Sequence, residues 1–273
     1  MRSRLTGFAV LTAALLLLAA APVLAAKKKE TPAPAPTIDE KSMTILKKMG
    51  DFLGKAGKYT VTVRSTHDSV QVSGQKIEFG RLLKYTVSRP DRLRVDSQDS
   101  DGKKGTVVFD GKAITAYGER RNAYASAELK GSLDDAVVYF VRDLKMQLPL
   151  AMLFVSNVTQ EFEGRIRSLA YVETDTLLDV PCDHLAGSTD TVDFQIWVAQ
   201  GNEPLPRRVL ITYRQTKGEP QFRAWFSEWN LSPNLTDAAF AFTPSEGVER
   251  IPFLVAIEAK RPKAPSAKKG GKP

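Results

Sequence analysis

Ser132–Phe154, SLDDAVVYFVRDLKMQLPLAMLF, is the one strongly apolar, helix-like run in the middle of a chain that otherwise reads as short strands. Ser132 supplies an N-cap, and Asp134 and Asp135 stand where the helix dipole favours negative charge. Leu133, Val137, Phe140 and Leu144 share one face at helical spacing, and Val138 and Val141 widen it. Pro149 breaks the helix, and Leu150 to Phe154 reads as a short second turn. A helix this apolar is either buried on most sides or caps a greasy cavity. The stretch is therefore either a plug or a lid for whatever the flanking strands build.

Strand patterns lie on both sides of it. Upstream, Tyr59, Val61 and Val63 alternate with polar residues, the period of a half-buried strand. Gln75 to Val87 is a longer strand with Gly80 in its middle, where a bulge or bend is expected. Arg89-Pro90-Asp91 is a turn, and Leu93 and Val95 then alternate with charges. Thr106–Phe109 and Lys112–Tyr117 are separated by Asp110-Gly111 alone, a strong hairpin signal because both turn positions would take positive φ. Asn122 to Ala127 closes the block.

Downstream, Tyr171–Leu177, Cys182–Ala186, Val192–Val198, Pro206–Tyr213 and Gln221–Asn230 form a second run of strands. Phe194, Ile196 and Val198 alternate with Gln195, Trp197 and Ala199. Phe222, Ala224 and Phe226 face away from Trp225 and Trp229. Ala239–Pro244 adds a last apolar peg. About eleven strands joined by short links imply antiparallel neighbours. A sheet of that many twisted strands curls, splits or closes.

Ahead of the strands, Ile38, Ile45, Leu46, Met49, Phe52 and Leu53 make one helical stripe. Thr37 with Glu40 fits a capping box, and Gly54 and Gly57 supply the stop. The expected fold is mainly β with helices: a curved antiparallel sheet forming an incomplete barrel, with two or three helices on its concave side.

The chain ends read differently. Arg2 and Arg4, an apolar run from Phe8 to Ala21, and Val23-Leu24-Ala25 have the pattern of a cleaved signal peptide over residues 1–25. A retained anchor is the alternative, but the run is short for a membrane span. The expectation is export to the periplasm of a Gram-negative bacterium. Residues 26–36 are a Pro-rich linker, 37–258 the folded domain, and 259–273 a basic disordered tail.

The formal net charge of +8 belongs to those ends. With Arg2, Arg4, Lys27–Lys29, Glu30 and the six cations of the tail set aside, the body holds 28 basic residues against 30 acids. That balance argues against a nucleic-acid groove, which needs a basic face on the fold itself. The tails either touch anionic lipid weakly or keep the protein soluble. Cys182 is the only cysteine, so no internal disulfide forms.

Chemistry is sparse. Cys182 and His184 point to the same strand face, where a thiolate nucleophile is conceivable, but no oxyanion-hole motif accompanies them. The only other histidine, His67, is remote, and no cluster has metal-ligand spacing. No Gly-x-Ser-x-Gly, phosphate-cradling Gly loop or His-Glu-x-x-His motif occurs. No enzyme, cofactor or metal is expected. Trp197, Trp225 and Trp229 read either as core or as an apolar platform in a ligand pocket.

Several segments together carry a likeness: Arg89–Val95 (RPDRLRV), Phe109–Lys112 (FDGK), Pro181–Leu185 (PCDHL), Leu205–Arg208 (LPRR), Phe222–Leu231 and Phe240–Pro244 (FAFTP). With them the body resembles the LolA/LolB-like outer-membrane lipoprotein carriers and receptors, and within them a branch of predicted periplasmic proteins. The resemblance implies an incomplete β-barrel whose helices cover an acyl-chain cavity. Lipoprotein carriage is implied only by analogy of fold.

Three readings follow. The first is a periplasmic binding protein, expected to be monomeric, that holds a lipid, acyl chain or lipoprotein without covalent chemistry. Its cavity candidates are Val137, Val138, Phe140, Val141, Leu144, Leu148, Phe154, Trp197, Trp225 and Trp229. The second is an envelope interaction or sensor domain whose core is filled by its own helices and whose partner is a protein. The third is a hydrolase using Cys182 or His184.

Overall fold

Six strands follow the first helix and pair in chain order: β1 (Lys58–Val70), β2 (Lys76–Ser88), β3 (Arg92–Asp99), β4 (Lys104–Phe109), β5 (Ala113–Gly118) and β6 (Ala123–Glu128). Five more form a second meander: β7 (Ser168–Leu177), β8 (Val180–Ser188), β9 (Val192–Ala199), β10 (Pro206–Tyr213) and β11 (Gln221–Asn230). The computed structural model describes residues 37–143 and 150–253. The expected signal peptide, linker and basic tail, and Leu144 to Pro149, lie outside the described residues.

The two meanders join where β1 pairs antiparallel with β11, giving one open sheet in the order β12-β6-β5-β4-β3-β2-β1-β11-β10-β9-β8-β7, in which β12 is Glu249–Arg250. Among the described residues there are thus twelve strands rather than about eleven, the extra one being the short β12, which runs parallel to β6. Both edges are dressed. β12 lies along β6, and Ile38 makes a parallel bridge to Leu169 beside β7. Covering exposed strand edges removes templates for unwanted pairing.

The helices lie on one face of this sheet. α1 (Glu40–Lys55) buries Leu46, Met49 and Leu53 in the same core cluster as Tyr59, Val61, Phe109, Leu185 and Phe226. Five residues of the expected stripe therefore face the sheet, with Ile45 and Phe52 packed beside these three, while Ile38 lies ahead of the helix and is 44% exposed. The cap of α1 differs from the expected Thr37–Glu40 box. Asp39 caps the helix, accepting from Ser42 N at 2.8 Å. Thr37 and Ile38 are extended because their backbone is committed to β7: Leu169 N donates to Thr37 O at 3.0 Å, and Asp39 N donates to Leu169 O at 2.9 Å.

Gly54 is not the stop. It lies inside α1, which ends at Lys55, with Gly57 just beyond. A Cβ on Gly54 would stand 2.7 Å from the carbonyl oxygen of Ser156, and one on Gly50 would stand 2.7 Å from Thr159 Oγ1. These glycines let the 156–159 backbone lie directly on α1. Gly54→Ala is therefore expected to destabilise by roughly 1–3 kcal/mol, since a backbone carbonyl gives way poorly. Gly164→Ala, in a helix position with open space around it, is expected to stabilise by up to about 1 kcal/mol through helix propensity. Thermal unfolding of the two variants should move in opposite directions.

The central stretch begins as expected and then departs. Ser132 and Asp135 form a capping box on α2 (Leu133–Val138). After six residues α2 passes into a π-type turn over Tyr139–Asp143. A third helix, α3 (Val158–Arg165), is not legible from periodicity; it buries only Val158 fully, so its apolar stripe is thin.

Two turn readings are corrected. β1 and β2 pair without interruption through Thr66↔Gly80, so Gly80 marks no bulge. The link between β4 and β5 has three residues, Asp110 to Lys112, and only Gly111 is left-handed. Asp110 instead holds the turn by its side chain, accepting from Lys112 N and Ala113 N at 2.9 and 2.8 Å.

Candidate functional site

Between the helices and the sheet lie two cavities. The larger, about 530 Å³, is walled by Leu83, Tyr85, Val95 and Val107 from the sheet and roofed by Val137, Phe140 and Phe154, among others. The smaller, about 430 Å³, is walled by Ile196, Val209 and Ile211 and roofed by Leu46, Leu153 and Phe162, among others. Both linings are predominantly aliphatic and aromatic, as ligand cavities generally are.

The alternation of each strand aims these walls inward, and the roof is pinned by polar contacts. Ser156 N donates to Asp134 Oδ1 at 2.9 Å, and the Ser156 hydroxyl donates to Asp134 Oδ2. Arg89 Nη2 donates to Val155 O at 3.4 Å. Phe154 is stacked on Tyr85, ring centroids 4.4 Å apart. Burial pushes the Tyr85 hydroxyl far above the ordinary phenol range, so it stays protonated.

Of the cavity residues expected from sequence, Val137, Phe140 and Phe154 line the larger chamber. Leu144 and Leu148 lie outside the described residues. Val138 and Val141 do not line either chamber and are each 47% exposed. One helical face suffices to meet the sheet, and these two valines fall beyond its edge.

Trp197 and Trp225 are also corrected: they project from the opposite face of the sheet. Ile196, Val198, Ala224 and Phe226 take the inward positions, and strand alternation then sends Trp197 and Trp225 outward. There Trp197 is stacked on His184 at 4.0 Å, and Arg208 lies over both indoles at 4.5 and 5.2 Å. Trp197 Nε1 donates to Asp175 Oδ2 at 2.9 Å.

Trp229 lies on the inward face instead, packed against the core beside Tyr59 and Phe226, and it lines neither chamber. A β-bulge accounts for this. Thr60 pairs with Asn230 but Thr62 pairs with Ser227, so β11 carries an extra residue, and Glu228 adopts φ 53°. The extra residue reverses the alternation, and residues three apart come to share a face.

Sequence reasoning missed Tyr85, Tyr213, Phe162 and Ile211 as chamber residues. The phase of Ile211 with Val209 was readable. What was not readable was the gap left between strand and helix.

Cys182 is fully buried, its thiol donating to Val180 O at 3.3 Å, and burial pushes that thiol above its ordinary pKa. His184 Nε2 is bonded to Gln195 Oε1 at 3.1 Å. Neither residue lines a chamber. Among the described residues, no three His, Cys, Asp or Glu side chains are grouped to hold a metal ion.

The fold and these chambers define a class: an open antiparallel sheet whose concave face, roofed by short helices, encloses apolar space. The chain belongs to the family described as "Predicted periplasmic protein (DUF2092)", whose model matches residues 42–254. No curated protein is significantly similar to it. Similar solved structures include an uncharacterized conserved protein from Thermus thermophilus, at 13% identity and TM-score 0.46, covering 78% of this chain and 99% of that one. Another is the Mycobacterium tuberculosis lipoprotein LppX, at 15% identity and TM-score 0.47, covering 72% and 100%. A third is a LolA superfamily protein from Nitrosomonas europaea, at 12% identity and TM-score 0.38, covering 74% and 97%.

Proposed function

We propose that the protein is a non-catalytic periplasmic binding protein that holds a lipid, an acyl chain or the acyl chains of a lipoprotein between its sheet and its helices. The observation that carries this reading is the pair of apolar chambers of about 530 and 430 Å³ on the concave face. A C16 chain offers roughly 15 methylenes worth ~0.8 kcal/mol each on leaving water. Burying even half of them offsets much of the freedom lost on association. Burial alone retains such a ligand and lets it leave unchanged, so no nucleophile or metal is required.

The family's description as periplasmic supports the compartment. Residues 1–25 are then the export signal, and the body works as a monomer carrying a basic tail.

Native mass spectrometry of the protein purified from a bacterial envelope tests this. The expected result is a bound species of lipid mass that is lost on solvent extraction. A ligand-free mass, no uptake of an added fatty acid, and a captured envelope protein would favour the alternative, an interaction domain with a self-filled core.

A further inference from the structure

Among the described residues, only Leu150 and Tyr213 line both chambers. They stand between the two spaces, so the concave face holds two neighbouring arms that share one boundary. We infer that its ligand is a two-chain amphiphile of the diacyl-lipid class, one chain in each arm, with its branch point at Tyr213. The inference rests on the acyl-binding reading above.

Size limits each arm to one chain. A dry protein cavity of ~150 Å³ accepts one benzene ring, about 25 Å³ per carbon. At that density the larger arm takes about 20 carbons and the smaller about 17. Each suits one ordinary acyl chain, and neither has room for two.

Both arms open at the same end of the sheet. The larger reaches its rim at His67, Thr216 and Gln221, and the smaller at Thr189, Thr191 and Val192. Tyr213 pairs with Val192 across β9 and β10, and it directly precedes the turn that carries Thr216. A headgroup joined to two chains thus sits beside Tyr213. Two unlinked chains would bring two polar ends to these neighbouring openings, where a linked pair brings a single headgroup.

Tyr213 suits the branch chemically. Its hydroxyl makes no hydrogen bond among the described residues, which leaves it free to donate to an ester carbonyl where two chains join. Burial raises its pKa above the ordinary phenol value, so at neutral pH the hydroxyl is a donor with or without that shift. Two cations that line the chambers are paired within the protein: Arg81 Nε with Asp99 at 2.6 Å, and Arg167 with Asp190 through two contacts of 2.8 Å. With these lining cations paired and Lys217 of the adjacent turn exposed to solvent, chain number rather than head charge is expected to set selectivity.

The test uses the full chain after solvent extraction, titrated with cis-parinaric acid, a fluorescent single-chain fatty acid. Two fatty acids per protein are expected, both displaced by one dioleoyl phosphatidylethanolamine and equally by one dioleoyl phosphatidylglycerol. Filling one arm, by Ile211→Trp in the smaller or Val107→Trp in the larger, should reduce fatty-acid capacity to one and weaken the diacyl lipid at least tenfold. Thr191→Trp and Ser97→Phe fill the same arms nearer the rim and replace either variant if it does not fold. Tyr213→Phe should keep both fatty acids and weaken only the diacyl lipid, severalfold.

One fatty acid per chain, abolished by filling either arm, would mean that a single long chain spans both arms, and would overturn the inference. So would a diacyl lipid that displaces only one of two probes. Uptake of neither probe would instead overturn the acyl-binding reading itself.

Discussion

Arg223→Met is expected to cost about 3–5 kcal/mol of stability, because it leaves a carboxylate buried without its partner. The Asp68 side chain is only 6% exposed, and Arg223 Nη1 donates to its Oδ1 at 2.9 Å. Gln221 N donates to Asp68 Oδ2 at 2.9 Å, and Arg223 Nη1 also reaches Glu78 Oε2 at 3.2 Å. The pair lies on the β1–β11 seam, which among the described residues is the one ladder joining the two meanders. Burial alone would raise the Asp68 pKa, but the hydrogen bonds from Arg223 and Gln221 and the guanidinium charge outweigh it and hold it below its ordinary value.

The pH dependence follows from that sign. In the native protein the Asp68 contribution is fully present above the unfolded carboxylate pKa, near 3.9, and is lost as pH falls through the lower folded value. In Arg223→Met the strongest lowering influence is gone and burial dominates, so protonation now relieves the site. The deficit of the variant should shrink as pH drops from 7 toward 4. Urea unfolding at both pH values measures this. Asp68→Leu combined with Arg223→Met should recover most of the loss, since an apolar pair of similar volume replaces a buried ion pair well. A deficit below 1 kcal/mol at both pH values would reduce the pair to an ordinary surface contact.

How much of this was readable beforehand depended on the range over which each feature is decided. The Ser132 N-cap is settled within four residues and was read directly from side-chain chemistry, while the return bond from Asp135 that completes a capping box was not read. The phase of β9 was equally plain, with Ile196 and Val198 opposite Trp197. Offering Trp197 as a cavity residue followed its residue type and overlooked that phase. The side taken by Trp229 could not be read, because Glu228 supplies the left-handed bulge position with no glycine to signal it. Gly54 looked like a helix stop because its actual neighbour, the Ser156 carbonyl, is about a hundred residues away in the chain. The chambers are the least legible feature of all. They are volumes left between inward rows of several strands and a roof whose height is set by how closely 156–159 lies on α1.

Phe154→Ala is expected to destabilise the protein by about 3–5 kcal/mol while increasing what an added fatty acid restores. Phe154 is 5% exposed, belongs to the core cluster and lies against Tyr85 in the roof of the larger chamber. Removing its ring forfeits the burial and leaves a void. At 2–4 °C per kcal/mol for a domain of this size, the melting temperature should fall on the order of 10 °C. The roof has other anchors, the Ser156–Asp134 and Arg89–Val155 contacts, so it should stay in place above a larger chamber. A ligand that binds only the folded state at 100 times its Kd returns about 2.7 kcal/mol, most of the deficit, and a chamber with more room should reach that level at lower fatty-acid concentration. Thermal unfolding with and without fatty acid separates the two roles open to this segment. A lid gives a variant weakened alone and rescued more strongly than wild type by ligand. A plug, whose ring merely filled the half-barrel, gives the same loss and no rescue in either protein.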